Sequence, residues 1–324
     1  MVSLRPPRRA ETACPIGKPG ARADNPRVGG GGRREQAPRR PGREDTAMAY
    51  RRISVTPASP TIGGHVGNID LNRRLDNDEV QDLHDALMQH QVLFFRDQKL
   101  SHETQTALGR HFGRLHVSVG GDGTNSRALA EHPEVRALHF DADSESVSGN
   151  ETWHTDQSCM ETPPMGTILY LHTVPPAGGG DTLFASMYAA YEALSPAMKR
   201  YLEGMTALHD GARAFRRTAS NALPVREQPV IARHPATGRR LIYVNPLFTS
   251  RLVGVSPAES DAILGYLFRH CADPAFNVRF RWAPHSVAFW DNRCTHHLAL
   301  WDYHPHTRSG FRIQIEGTDR VIPG

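Results

Sequence analysis

His154-Thr155-Asp156 sets an imidazole and a carboxylate two positions apart. An extended strand sends alternate side chains to one face, so both can converge on a single metal ion. A third ligand would come from the distant pair His296-His297. Neighbours in a strand face opposite ways, so only one of that pair can serve. Two histidines and one carboxylate on one face of a metal leave its other positions open, the arrangement found in non-heme Fe(II) oxygenases. Zinc hydrolases also use histidine and carboxylate sets, so these residues alone leave the metal open. Arg308, eleven positions beyond His297, adds a fixed cation suited to a carboxylate cosubstrate. Along Gly310-Phe311-Arg312-Ile313-Gln314-Ile315 the polar residues share a face with Arg308, so Arg312 is expected to point the same way.

Such a set needs a rigid frame. Asp76-Asn77-Asp78-Glu79 caps a helix carried by Val80, Leu83 and Leu87, and Val92-Leu93-Phe94-Phe95 reads as a fully buried strand. Ser101 starts a second helix, closed by Gly113. Residues 117–150 are rich in Gly, Ser and Asp and predict one long loop leading into the metal motif. Thr167 to Thr173 and Thr182 to Ala185 predict strands, and Ser186 to Leu202 a helix interrupted at Ser195-Pro196. Ser256-Pro257-Ala258-Glu259 is a capping box opening a helix to about Cys271. Val287 to Trp290 and Gly310 to Glu316 predict the closing strands. The histidines His172, His209, His234 and His285 have no ligand partner at strand spacing and are read as surface or packing residues.

Composition separates residues 1–47 from the rest. They hold ten Arg, one Lys and five acidic residues, a net +6, whereas the whole chain is +4, so the remainder is about −2. Seven Pro, seven Gly and almost no large apolar residue predict a disordered basic extension. The stretch that bears these elements begins just after Met48, so translation is expected to start there; a functional arm would bind nucleic acid through phosphates. No apolar run approaches the ~20 residues of a membrane span. The four cysteines, Cys14, Cys159, Cys271 and Cys294, form no CxxC pair, and a reducing cytoplasmic setting is expected.

Trp153-His154-Thr155-Asp156, Glu161-Thr162-Pro163-Pro164, Gly179-Gly180-Asp181-Thr182-Leu183-Phe184 and Trp290-Asp291-Asn292-Arg293-Cys294-Thr295-His296-His297, then Asp302-Tyr303, follow one another in order. Together they resemble the taurine dioxygenase and 2,4-dichlorophenoxyacetate dioxygenase family, from about Tyr50 to Gly317. The resemblance implies Fe(II), 2-oxoglutarate and dioxygen chemistry on a double-stranded β-helix. It implies His297 rather than His296 as the third ligand beside His154 and Asp156. It implies that Arg308 clasps the distal carboxylate of 2-oxoglutarate and that the Thr182 hydroxyl bonds the same molecule. Arg312 and Asn150 match substrate-side positions, and Phe215 and Phe248 are expected to supply an apolar wall. Related halogenases replace the carboxylate with a small residue, so Asp156 implies hydroxylation. One departure stands out. After Phe112-Gly113-Arg114-Leu115-His116, taurine-binding members carry a further histidine and a tyrosine, whereas this chain reads Val117-Ser118-Val119-Gly120-Gly121. Taurine itself is therefore not expected, but Arg312 still implies an anionic substrate.

The expected protein is α+β, a double-stranded β-helix (jelly-roll) barrel core with inserted and flanking helices over residues 48–324. It would hydroxylate a small organic anion, such as a sulfonate, alkyl sulfate, aryloxyalkanoate or related acid, as a cytoplasmic homo-oligomer with no membrane association. Two readings from other classes are a catalytically silent barrel acting as a binding module and nucleic-acid binding through residues 1–47.

Overall fold

The structure is a computed structural model that describes residues 50–117, 125–144, 151–215 and 223–324. The expectations for residues 1–47 and for Asn150 lie outside the described residues. Its largest feature is a mixed eight-stranded sheet, in the spatial order Ser54–Pro57, Gly64–Gly67, Val92–Phe95, Ser286–Asp291, Gly166–Thr173, Arg308–Ile315, Arg136–Phe140 and Ser126–Ala128. Gly64–Gly67 runs parallel to Val92–Phe95, and the other pairings are antiparallel. A three-stranded sheet, Asn277–Phe280, Thr182–Ser186 and Thr295–Ala299, supplies the facing layer. Two further three-stranded sheets and the helices complete a mixed α/β fold with one large sheet.

Alternation along the strands decides which core each side chain enters. Val92-Leu93-Phe94-Phe95 is buried at every position, as expected of a strand covered on both faces. Val92 and Phe94 join Leu169, Leu171, Ala288 and Trp290 in facing Phe184 and Phe280 of the small sheet. Phe94 stacks on Phe280 at 4.1 Å between centroids, and Trp282 meets Phe280 edge-on at 4.8 Å. Leu93, Phe95, Ile168, Phe289 and Ile313 point the other way, into a cluster with Leu83, Leu87 and Leu108 of the helices Asn77–His90 and His102–Arg110. A third cluster joins the helices Met187–Ala193, Pro196–Leu202 and Pro257–Cys271 to the strands Ile231–Arg233 and Arg240–Ile242.

The helices begin where their sequences say. Asp76 accepts from the Glu79 N–H at 2.9 Å while Glu79 accepts from the Asp76 N–H at 2.9 Å. Ser256 and Glu259 form the same reciprocal pair. Ser195 recaps the chain before Pro196, which places the break between the two short helices. The single long loop expected over 117–150 needs correction, because Ser126–Ala128 and Arg136–Phe140 are strands. Arg136–Phe140 is mostly half-buried, so its sequence carries no clean alternation. Backbone pairing with Arg308–Ile315, from Arg308↔Phe140 to Arg312↔Arg136, makes it a strand.

Candidate active site

His154 and His297 form an isolated antiparallel bridge closed by two backbone hydrogen bonds. The His154 N–H donates to His297 O at 3.1 Å, and the His297 N–H donates to His154 O at 2.7 Å. Their rings lie 4.1 Å apart. Asp156 Oδ1 stands 3.8 Å from Nε2 of each ring. One ligand atom from each of the three lies within 4.8 Å of the others, and all three side chains are buried. His154 Nδ1 faces the Thr152 carbonyl at 2.7 Å, so Nδ1 carries the proton and Nε2 offers a lone pair to the cluster. His296 leaves the opposite face of the same strand, pairing with Ala185 where His297 pairs with Phe184. It is buried with neither ring nitrogen bonded among the described residues.

Burial sets the protonation states. It lowers the His154 pKa and pushes that of His297 well below 6.5, which keeps both rings neutral, the form that binds metal. Burial also opposes ionisation of Asp156, but the positive charge of Arg312, with a hydrogen bond from Thr167, outweighs it and holds the carboxyl well below its ordinary range. A relay fixes this carboxylate. Trp290 Nε1 donates to Asn292 Oδ1 at 2.8 Å, Asn292 Nδ2 donates to Thr167 Oγ1 at 2.9 Å, and Thr167 donates to Asp156 Oδ2 at 2.7 Å. The relay engages Oδ2 and leaves Oδ1 facing the imidazoles. Sequence reasoning missed the roles of Thr167, Asn292 and Trp290. Trp290-Asp291-Asn292 carried a signal, since it stands at fixed distance before His297.

Arg308 is 5% exposed and has no ion-pair partner among the described residues. Its Nε donates to Gly180 O at 3.1 Å, and its guanidinium carbon lies 5.8 Å from the centre of the Trp282 ring. Trp282 Nε1 donates to Thr182 Oγ1 at 3.1 Å, so the two predicted cosubstrate residues meet through a tryptophan that the sequence did not single out. Thr182 lies two residues before Phe184, the strand partner of His297, which links this pocket to the His154–Asp156–His297 cluster. Gly180 has φ +66 and a Cβ there would fall 2.8 Å from Arg308 Cδ, so the close approach requires glycine. Gly310, between the two arginines, is required for a different reason, since a Cβ would lie 2.0 Å from Tyr170 O on the adjacent strand.

Arg312 is half-buried on the same strand face, with Nη1 3.8 Å from Asp156 Oδ1. Its Nη2 reaches Gln314 Oε1 at 3.5 Å, and Gln157 Nε2 donates to that oxygen at 3.0 Å. Neither glutamine was foreseen. Phe248 is buried with Cys159 and Leu247, and the exposed ring of Phe215 packs 5.7 Å from it. Their cluster adjoins the metal motif through Cys159, three residues after Asp156.

A second group of metal-ligating types, His234, Asp291 and Cys294, is a closed polar network. His234 Nδ1 accepts from the N–H groups of Ala236 and Thr237, which leaves Nε2 to donate to Asp291 Oδ2 at 3.0 Å. Asp291 also takes three hydrogen bonds from Arg293, and burial raises the Cys294 thiol well above 9, so no free ligand atom remains. His209 is likewise buried and bonded, to Ser158 and Thr249, so both histidines are packing residues as expected.

With this geometry in place, the family comparison is decisive. The family model described as "Taurine catabolism dioxygenase TauD, TfdA family" matches residues 54–314. The chain belongs to this family. An alkylsulfatase of Acinetobacter baylyi is 31% identical over 276 residues, covering 79% of this chain and 82% of that protein. An alpha-ketoglutarate-dependent 2,4-dichlorophenoxyacetate dioxygenase of Cupriavidus pinatubonensis is 31% identical, covering 76% and 91%. The chain spans 64% of the length of a longer Schizosaccharomyces pombe relative, at 35% identity. Among solved structures, a taurine dioxygenase from Burkholderia xenovorans superposes with a TM-score of 0.73 at 36% identity, covering 84% of this chain and 94% of that one. The TauD/TfdA chain described here is a 2-oxoglutarate-dependent dioxygenase by membership.

Proposed function

We propose that this chain is an Fe(II)- and 2-oxoglutarate-dependent dioxygenase that hydroxylates a small organic anion, using dioxygen and releasing succinate and carbon dioxide. The observation that carries the reading is Arg308, a buried guanidinium without a carboxylate partner among the described residues, on the strand that also bears Arg312. An unpaired buried cation is expensive, and a dicarboxylate cosubstrate would supply the missing charge with bidentate geometry. The donor set fits iron, since it offers two neutral imidazoles and one ionised carboxylate from a single face. Bound iron, with 2-oxoglutarate as the co-reductant oxidised to succinate and carbon dioxide, would activate dioxygen, the oxidant that places one oxygen atom in an unactivated C–H bond.

The chain's residues set the geometry of that chemistry. His154, Asp156 and His297 would hold the metal, the Thr152 carbonyl fixing one imidazole and the Thr167 relay fixing the carboxylate. Arg308 would clasp the distal carboxylate of 2-oxoglutarate, and the Thr182 hydroxyl, accepting from Trp282, keeps its proton free to donate to the same molecule. Arg312 would hold the anionic head of the substrate, with Phe215 and Phe248 as apolar wall and Asn150 completing the substrate side. We read the large and small sheets as the two faces of a double-stranded β-helix, a reading supported by the core of Phe94, Phe184, Leu169 and Phe280 between them. Sulfonates, alkyl sulfates and aryloxyalkanoates are the substrate classes that Arg312 favours. The three described cysteines are free and buried, which agrees with a reducing cytoplasmic setting, and no helix among the described residues is long and apolar enough to cross a membrane. A catalytically silent barrel is disfavoured, because the triad and the buried arginine are intact.

The deciding experiment measures succinate release from 2-oxoglutarate with added Fe(II) across alkyl sulfates, sulfonates, aryloxyalkanoates and amino-acid-like acids. Turnover should need both iron and 2-oxoglutarate, and zinc should inhibit. Full activity in a chelator, or with zinc alone, rejects the proposal.

A further inference from the structure

We infer that Gln314 and Gln157 form a positioning pair that pins the Arg312 guanidinium beside the metal-binding carboxylate, fixing where the substrate's anionic head sits. The inference rests on the dioxygenase reading above. Gln314 lies two residues beyond Arg312 in one strand, so both side chains leave the same face. Its Oε1 takes hydrogen bonds from Gln157 Nε2 at 3.0 Å and from Arg312 Nη2 at 3.5 Å. On the other side, Arg312 Nη1 stands 3.8 Å from Asp156 Oδ1, close enough for charge attraction and too far for a hydrogen bond. Two pulls therefore act on one guanidinium. Were it to close onto Asp156, it would cover the oxygen that faces the imidazoles and turn its charge away from the substrate.

The surroundings show that this brace is built in. Gln314 is buried and registers with Thr167, the residue that holds the other oxygen of Asp156. Gln157 directly follows Asp156 and adopts φ +51, a left-handed conformation that is unfavourable for a non-glycine residue. This strained backbone directs the Gln157 amide at Gln314. The choice of amide matters as well. A carboxylate at 314 would bind the guanidinium more tightly but cancel its charge, whereas a neutral carbonyl oxygen orients Arg312 and leaves it cationic.

Three variants separate these roles. Gln314→Met keeps length and burial without an acceptor, and Gln314→Glu keeps the acceptor but adds charge. Gln157→Asn tolerates the left-handed backbone but is too short to reach. The probes are hexyl sulfate and 2,4-dichlorophenoxyacetate. KM is read with Fe(II) and 2-oxoglutarate, and Kd by calorimetry with Mn(II) and N-oxalylglycine in place of the turnover pair. Gln314→Met and Gln157→Asn should raise KM and Kd together by roughly three- to tenfold, the effect of one neutral hydrogen bond. The 2-oxoglutarate KM and kcat should stay within about twofold, since neither cosubstrate contact is touched. Gln314→Glu should raise Kd roughly a hundredfold or more, through lost attraction and added repulsion. Mn(II) affinity without any anion should fall in Gln314→Met, as Arg312 closes onto Asp156. Unchanged Kd for both probes in Gln314→Met, or a Gln314→Glu variant that binds as well as wild type, overturns the inference. So does a Gln314→Met variant that loses kcat and melting temperature with KM unmoved, the mark of a purely structural role. Wild type that makes no succinate with any probe removes the dioxygenase reading itself, whereas wild-type turnover with indifferent Gln314 variants removes only this inference.

Discussion

As the proposed metal ligand, Asp156 meets three demands at once: it must be ionised, aimed, and left with one oxygen free. Arg312 supplies the first, outweighing burial, and the Thr167–Asn292–Trp290 relay supplies the second and third. Asp156→Ala should abolish succinate formation while circular dichroism shows the fold in place, because the residue contributes a ligand and no apolar packing. Replacing His297 with Ala should do the same, and His296→Gln should retain most turnover, since that ring faces away from the cluster. Equal losses at the two histidines would show the ligand assignment to be wrong. The arginines should separate by ligand. Arg308→Ala should raise the 2-oxoglutarate requirement and Arg312→Ala the substrate requirement, each by about 2 kcal/mol or roughly thirtyfold. Titrating both ligands against both variants checks this, and an Arg312→Ala variant with normal substrate affinity would remove the anionic-substrate claim.

At the scale of elements, the site depends on strands held apart by aromatic packing. Phe94, stacked on Phe280 and touching Phe184, joins the large sheet that carries Asp156's partner Thr167 to the small sheet that carries His297. Phe94→Ala should destabilise by about 3–5 kcal/mol, the usual cost of emptying a buried aromatic site. An unfolding free energy from denaturant titration that falls by less than about 1 kcal/mol would mean the sheets are held elsewhere. Helix capping is worth less. Ser256→Ala should cost about 1 kcal/mol and leave turnover unchanged, because its helix packs in a different hydrophobic cluster, against Ile231–Arg233 and Arg240–Ile242.

For the whole molecule, buried neutral histidines tie stability to pH. Burial pushes His209 down to about 3 from its ordinary 6.5. The unfolded chain therefore takes up a proton as pH falls through 6.5, while the folded chain resists until about 3. Its contribution to stability is complete above pH 6.5 and erodes steadily below it. The melting temperature should fall between pH 7 and 4, and His209→Gln should flatten that fall. An identical slope in the variant would exonerate this residue. Deleting residues 1–47 should leave melting temperature and turnover unchanged, since that segment offers almost no large apolar side chains to pack. A fall of several degrees on truncation would contradict this.

What could be read from the chain alone was whatever is local in sequence. The i, i+2 spacing paired His154 with Asp156, although His154 makes only an isolated bridge and Asp156 opens a turn rather than continuing a strand; capping boxes at Asp76 and Ser256 marked helix starts, and an unbroken apolar run marked Val92–Phe95 as buried on both faces. Motif order carried the family, and with it His297, Thr182 and Arg308. Tertiary structure alone decided how those parts touch. Arg136–Phe140 became a strand because Arg308–Ile315 offered it backbone partners, which no side-chain pattern announces. Gly310 could be recognised as obligatory only once Tyr170 O was seen against it. Thr167, Trp282, Gln157 and Gln314 gained their roles from partners up to 157 positions away. Hydrogen bonds act over about 3 Å in space and register no separation along the chain, so the residues that aim the ligands stay silent until the sheets close.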